Sequence, residues 1–302
     1  MFPILNGMDP RLTLKERKEA HVKWKEAHDK AQDIPVNEPE IWNGFDEIVC
    51  INLIERPDRY EKVKTFFDSL NMPVRYHRVN KHPNGGVEGC YTSHIEVITS
   101  AYEKGLDNIL IFEDDVVAGK GLNARKVLEC ANLAKVPGVQ IVYLGWHPQI
   151  LTSRTQHIIG SMYGVKASGT HAYVLTRVMI EALANRPFDG TPIDVVLSQY
   201  PKAFGVYPTA FVQGMGDSNI TDNFSNSKIM KPIRAGIEVW SVNVNIPPTW
   251  VLQSVIVSII GTVFFHYYSR RNGLKVDTIG YVMIFLLAFM MSMFVFSRFG
   301  RK

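Results

Sequence analysis

The sequence predicts an α/β sandwich built around a mostly parallel sheet. Short apolar runs of strand length alternate with segments of helical period between residues 46 and 245. One of these strands, Asn108 to Phe112, runs directly into three consecutive acids, Glu113, Asp114 and Asp115. Two long apolar runs close the chain and predict a hydrophobic helical hairpin after the sandwich.

Residues 1–45 read as a helical extension and linker. Leu12 to Gln32 is rich in Lys, Glu, Ala and His, which favours helix. Its apolar positions are too few for a strong stripe, so a solvated or loosely docked helix is expected. Pro35, Asn37, Glu38 and Pro39 read as the linker. Met1 to Leu5 is apolar, but Asn6, Asp9 and Arg11 interrupt it, which does not fit a signal peptide.

In the body of the chain, Glu47 to Leu53 is an apolar strand. Pro57 can open a helix that carries Val63, Phe66, Phe67 and Leu70 on one face. Val74 to Val79 reads as a strand. Ser93 to Lys104 reads as a helix, with Ile95, Ile98 and Tyr102 on one side and Gly105 just past its end. Ala124, Val127, Leu128 and Ala131 mark another helix, and Val139 to Leu144 another strand. Ala172 to Leu175 is a strand, with Thr176 placed to cap the helix after it.

Composition narrows the function classes. The chain has 302 residues, 46% hydrophobic, enough for one substantial core or two modest ones. Lys plus Arg is 33 and Asp plus Glu is 29, a net charge of +4 that does not argue for a nucleic-acid partner. Cys50, Cys90 and Cys130 are far apart with no CxxC spacing, which argues against zinc and against a disulfide framework; each reads as a small buried hydrophobe. No Walker loop, HExxH or GxSxG is present.

At the C-terminus, about 250–268 and 279–296 lack Asp, Glu, Lys and Arg and approach the ~20 residues a bilayer needs. Residues 246–302 therefore read as a membrane anchor with two transmembrane helices, the alternative being a pair of buried core helices. Two spans put both ends of the chain on one side. Without a signal peptide, and with a basic C-terminus, the catalytic domain is expected in the cytosol on a multi-pass membrane protein, although Arg270, Arg271 and Lys275 in the loop pull the other way. On that topology the sequons at Asn219 and Asn223 carry no glycan.

The acidic turn is the sharpest chemical signal. In open α/β sheets, ligands sit at the carboxyl ends of strands. Adjacent negative charges repel and favour a cation between them. Magnesium and manganese take carboxylate oxygens and leave positions for phosphate oxygens, making a diphosphate a better leaving group. An ordinary acidic turn or helix cap is the alternative. Glu113 and Asp115 are the candidate metal ligands, with Asp114 assisting or contacting the sugar.

Beyond that turn, residues 46–220 resemble glycosyltransferase family 25, which includes bacterial lipooligosaccharide galactosyltransferases and procollagen galactosyltransferases. Four blocks carry the resemblance: Ile51-Asn52-Leu53 with Arg56, Asp58 and Arg59; Gly89-Cys90-Tyr91-Thr92-Ser93-His94; the acidic turn; and Gly169-Thr170-His171-Ala172-Tyr173 through Pro192-Ile193-Asp194 to Tyr207-Pro208, Gln213 and Ser218-Asn219-Ile220. Asn219 stands where the family pattern has Asp. The resemblance implies a GT-A-like nucleotide-sugar-binding fold, a UDP-galactose or UDP-glucose donor, a divalent metal (manganese, or magnesium) and inversion at the anomeric carbon.

Read beside it, Asn52, Arg56 and Arg59 follow the first strand, where a nucleotide would lie. Either arginine can pair with a diphosphate, or simply be solvated. Ser93 and His94 open the expected helix, whose N-terminus is an anion site, although His94 also fits a half-buried stripe with Val97 and Ala101. His171 is a candidate metal ligand or diphosphate contact, or a structural histidine. Asp194 is the candidate catalytic base, separate from the metal, or a cap for the helix beginning at Val195. The expected activity is therefore hexose transfer from a nucleotide sugar to a glycan or protein acceptor. The alternatives are an inactive membrane-anchored binding or assembly protein that keeps the fold, and a metal hydrolase, which needs richer His/Asp clusters.

Overall fold

A computed structural model describes residues 13–30, 34–148, 156–159, 161–165, 167–214, 248–273 and 276–299. The expectations for Met1 to Leu5 and for the sequons at Asn219 and Asn223 lie outside these residues.

An eight-stranded sheet forms the middle layer. Its strands are β1 (Glu47–Leu53), β2 (Val74–Val79), β3 (Asn108–Glu113), β5 (Ile141–Pro148), β6 (Gln156–Ile159), β7 (Met162–Gly164), β8 (Ala167–Thr176) and β9 (Ala203–Val206), in the order β2-β1-β3-β8-β5-β9-β7-β6. β1 pairs parallel with β2 and β3, and β5 parallel with β9, while β8 runs antiparallel between β3 and β5. β7 is antiparallel to both β9 and β6. Only β7 and β8 thus oppose the common direction, which makes the sheet mostly parallel as expected. A two-stranded ribbon, β4 (Val116–Ala118) with β10 (Phe211–Gln213), continues from the end of β3.

Helices cover both faces. α1 (Leu14–Lys30), α2 (Pro57–Ser69) and α4 (Ala124–Ala134) lie on one side; α3 (Gly86–Glu103), α5 (Arg177–Leu183) and α6 (Ile193–Ser198) lie on the other. Alternate residues of one strand serve the two cores. Leu110 and Phe112 of β3 join Val63 and Phe67 of α2, whereas Ile109 and Ile111 join Ile95 and Ile98 of α3. A strand buried on both faces must be apolar throughout, which explains the unbroken Ile109-Leu110-Ile111-Phe112 run.

Three local expectations change. α3 begins at Gly86, about two turns before Ser93, because Gly85 takes φ +102° as the residue before the helix. Ser93 and His94 are therefore buried mid-helix and do not open it. Thr176 precedes α5, but its hydroxyl donates to Val139 O at 2.7 Å and makes no cap bond. α1 is docked, not solvated. Trp24 Nε1 donates to Glu129 Oε1 at 3.0 Å, Asn132 Nδ2 to Lys23 O at 3.1 Å, and Lys202 Nζ lies 2.8 Å from Glu16. These partners come from α4 and the β9 approach, more than a hundred residues away, so α1's own weak apolar stripe could not announce them.

The C-terminal segment forms α7 (Pro248–Arg271) and α8 (Thr278–Phe299), with the Tyr281 ring against Phe265 and His266. The expectation of two membrane spans and a multi-pass C-terminus is overturned: among the described residues, no helix is long and apolar enough to cross a membrane, and the membrane partner and the cytosolic placement drawn from those spans lose their basis. Where side chains are described, α7 carries Ser254, Ser258, Thr262 and His266 and ends in Arg270 and Arg271.

Candidate active site

The carboxyl ends of β1 and β3, the start of α2 and the first half of α3 enclose one cleft. Its lining includes Asn52, Arg59, Lys81, Gly85, Gly86, Gly89, Cys90, Ser93, His94, the three acids and Gln213. Gly89 is required by packing: a Cβ there would lie 2.7 Å from His82 Cβ.

The acidic turn is split between two environments. Asp114 is 9% exposed and both of its oxygens are engaged. Asn52 Nδ2 donates to Oδ2 at 2.7 Å, and Arg59 Nη1 donates to Oδ1 at 2.8 Å. Arg78 Nε in turn donates to Asn52 Oδ1 at 3.2 Å, with its guanidinium 4.4 Å over the Tyr60 ring. Asp115 is different. Gln213 Nε2 donates to its Oδ2 at 3.1 Å and Arg59 is 3.7 Å away, but Oδ1 is buried without a hydrogen bond. Burial, together with the Glu113 charge, pushes the Asp115 carboxyl up to about 7 despite Gln213 and Arg59.

Glu113 ends β3 and meets α3 and β8. Burial opposes its ionisation, but His94, the Thr170 hydroxyl and His171 outweigh it and hold the carboxyl below its ordinary range. Thr170 Oγ1 donates to Glu113 Oε1. His94 is fully buried, with Nδ1 2.7 Å from the Tyr173 hydroxyl and Nε2 3.6 Å from Glu113 Oε1. His171 is 1% exposed on β8, two residues before Tyr173, close enough for its charge to act on Glu113.

Of the residues singled out in the sequence, Asn52, Arg59, Ser93, His94, Glu113, Asp114 and Asp115 line this cleft. Arg56 does not; it precedes α2 and grips Asp58 through Nε at 2.9 Å and Nη2 at 2.8 Å. Asp194 also lies outside the lining, in the first turn of α6, where Oδ1 accepts from Val195 N at 2.9 Å. Pro192, not Asp194, is the residue preceding that helix. Sequence reasoning missed Arg78, whose link to Asn52 crosses the β1–β2 pairing, and the pairing of Cys90 with His94, whose four-residue spacing was visible.

Residues 59–196 match the model of glycosyltransferase family 25 (LPS biosynthesis protein), a match that supports a glycosyltransferase. The matched stretch includes Arg59, the α3 residues, the acidic turn, His171 and Asp194, and leaves out Asn52 and Gln213. No curated protein matches the chain in sequence. Solved structures similar to it include a protein from STIV (11% identity, TM-score 0.34, covering 58% of this chain and 97% of that one). Another is a glycosyltransferase involved in glycosylating the major capsid of PBCV-1 (14%, 0.33, 57% and 95%). A third is a UDP-glucose pyrophosphorylase complexed with UDP-glucose (10%, 0.34, 68% and 84%).

Proposed function

We propose that the chain transfers a hexose, galactose or glucose, from a UDP-sugar to a glycan or protein acceptor, with inversion and with a divalent ion, on a GT-A-like domain spanning residues 46–245. The observation that carries this reading is the pairing of Glu113 with Asp115. The two carboxyls face one cleft and are pushed in opposite directions, and Asp115 Oδ1 is buried with no partner. A cation between them offsets the repulsion that raises Asp115 and gives its open oxygen a partner. Glu113, Asp115 and His171 are the residues that would hold it, and their oxygen-rich set suits manganese or magnesium. When bound, the ion would offset the charge of the donor diphosphate.

The chain's own groups supply the rest. Asp114, closed by Asn52 and Arg59, positions the turn and does not contact the sugar. Arg59 is spent on the same task, so the diphosphate falls to the start of α3 at Gly86, with Lys81 beside it. Asp194 is the proposed base. It is separate from the turn, and one of its oxygens is taken by Val195 N, leaving the other for an acceptor hydroxyl.

A donor panel tests this. Purified protein with manganese should release nucleotide from a UDP-hexose, and chelator should stop it. No release and no metal-dependent nucleotide binding with any donor would favour an inactive protein that keeps the fold.

A further inference from the structure

A second set of ligand atoms lies in the cleft, with a different chemical character. Cys90 Sγ, a ring nitrogen of His94 and a Glu113 oxygen all lie within 4.8 Å of one another. Cys90 and His94 are four residues apart on α3 and so share a face. His94 is fully buried, and its Nε2 makes no hydrogen bond while pointing into this set. The Nε2 to Oε1 separation of 3.6 Å is longer than a hydrogen bond but suits two ligands of one ion. Bonds of about 2.0–2.3 Å in a tetrahedron put ligand atoms roughly 3.3–3.8 Å apart, so a sulfur shift of about 1 Å closes the set.

We infer that Cys90, His94 and Glu113 form a binding site for a borderline-soft cation of the zinc class, distinct from the oxygen-rich site at the acidic turn. Sulfur selects such ions over manganese and magnesium. The supporting contacts of a zinc site are already in place. The Tyr173 hydroxyl meets the far nitrogen of His94, and the Thr170 hydroxyl donates to Glu113. The fourth position opens on the cleft, which Cys90 and His94 both line. On binding, the Cys90 thiol gives its proton to solvent as sulfur joins the ion. The absence of CxxC spacing pointed away from zinc, because the third ligand arrives from β3 and not from the local sequence.

The site also uses Glu113, so zinc should compete with the ion proposed for hexose transfer. That consequence rests on the functional reading above; the site itself does not. Cobalt is the probe. Titrating Co2+ into the full chain, without donor, should give a thiolate-to-cobalt charge-transfer band saturating at one ion per chain and removed by Zn2+. Cys50→Ala and Cys130→Ala should keep the band. Cys90→Ser should lose it with its thermal unfolding unchanged, and His94→Gln should weaken cobalt binding at least about tenfold. Absence of the band in the unsubstituted protein, or its persistence in Cys90→Ser, would overturn the site. Manganese-dependent nucleotide release, measured separately, tells that failure from a failure of the transferase reading.

Discussion

Asp114 and Asp115 are neighbours in the chain but occupy opposite situations. Asn52 and Arg59 close both oxygens of Asp114, at 2.7 and 2.8 Å. One residue on, Asp115 has an oxygen buried without a hydrogen bond and a carboxyl pushed up to about 7, by burial first and then by Glu113. The β1 side of the cleft is thus a finished brace, and the α3–β8 side keeps unspent ligand capacity. A charge that the fold has already satisfied has little left for a ligand, which is why the proposed cation falls to the unsatisfied side.

The largest effect expected from this contrast is on Asp115. Asp115→Asn should lower nucleotide release by roughly 10³-fold or more, since metal charge stabilisation amounts to several kcal/mol, with the fold intact. Full activity of that variant in chelator would erase the distinction between the two acids. Asp194→Asn should lower kcat by roughly 10²–10⁴-fold with donor affinity and melting temperature nearly unchanged. Near-normal turnover would leave Asp194 only its contact with Val195 N.

The strand that delivers the acids was legible because burial on both faces leaves β3 no choice but apolar residues. The turn was legible because three adjacent carboxylates have few cheap uses. The division of labour inside the turn was not. It depends on Arg59 reaching back from α2 and on Gln213 arriving from β10, contacts 55 and 98 residues distant in sequence. The start of α3 was misread because Gly85, Gly86 and Gly89 look like a loop until the packing of Gly89 on His82 is known. Trp250 to Tyr268 read as a membrane span from its apolar count, but no described helix is long and apolar enough to cross a membrane, and α7 combines buried serines with a basic end.

Acid should sharpen the contrast further. Below about 7 Asp115 holds a proton that the cation must displace. Metal affinity should be greatest above that value and fall by about tenfold per pH unit as pH drops through it, one proton being exchanged. An affinity that stays flat between pH 5 and about 7 would mean that Asp115 is not a ligand. Asp114 should behave in the opposite sense, as a matter of stability. Asp114→Ala leaves Arg59, whose side chain is 13% exposed, without its main partner, and should cost about 2–3 kcal/mol in chemical denaturation. Outside the cleft, Trp24→Phe removes the bond to Glu129 and should cost only about 1 kcal/mol, with turnover unchanged.

The most direct measurement is a manganese titration of the full chain above pH 7, followed by calorimetry, for the unsubstituted protein, Asp115→Asn and Asp58→Asn. Asp58 is an exposed acid paired with Arg56 outside the cleft and serves as the control. The account predicts one ion per chain, affinity reduced at least about tenfold by Asp115→Asn, and no change with Asp58→Asn. Equal manganese affinity in all three proteins would contradict it.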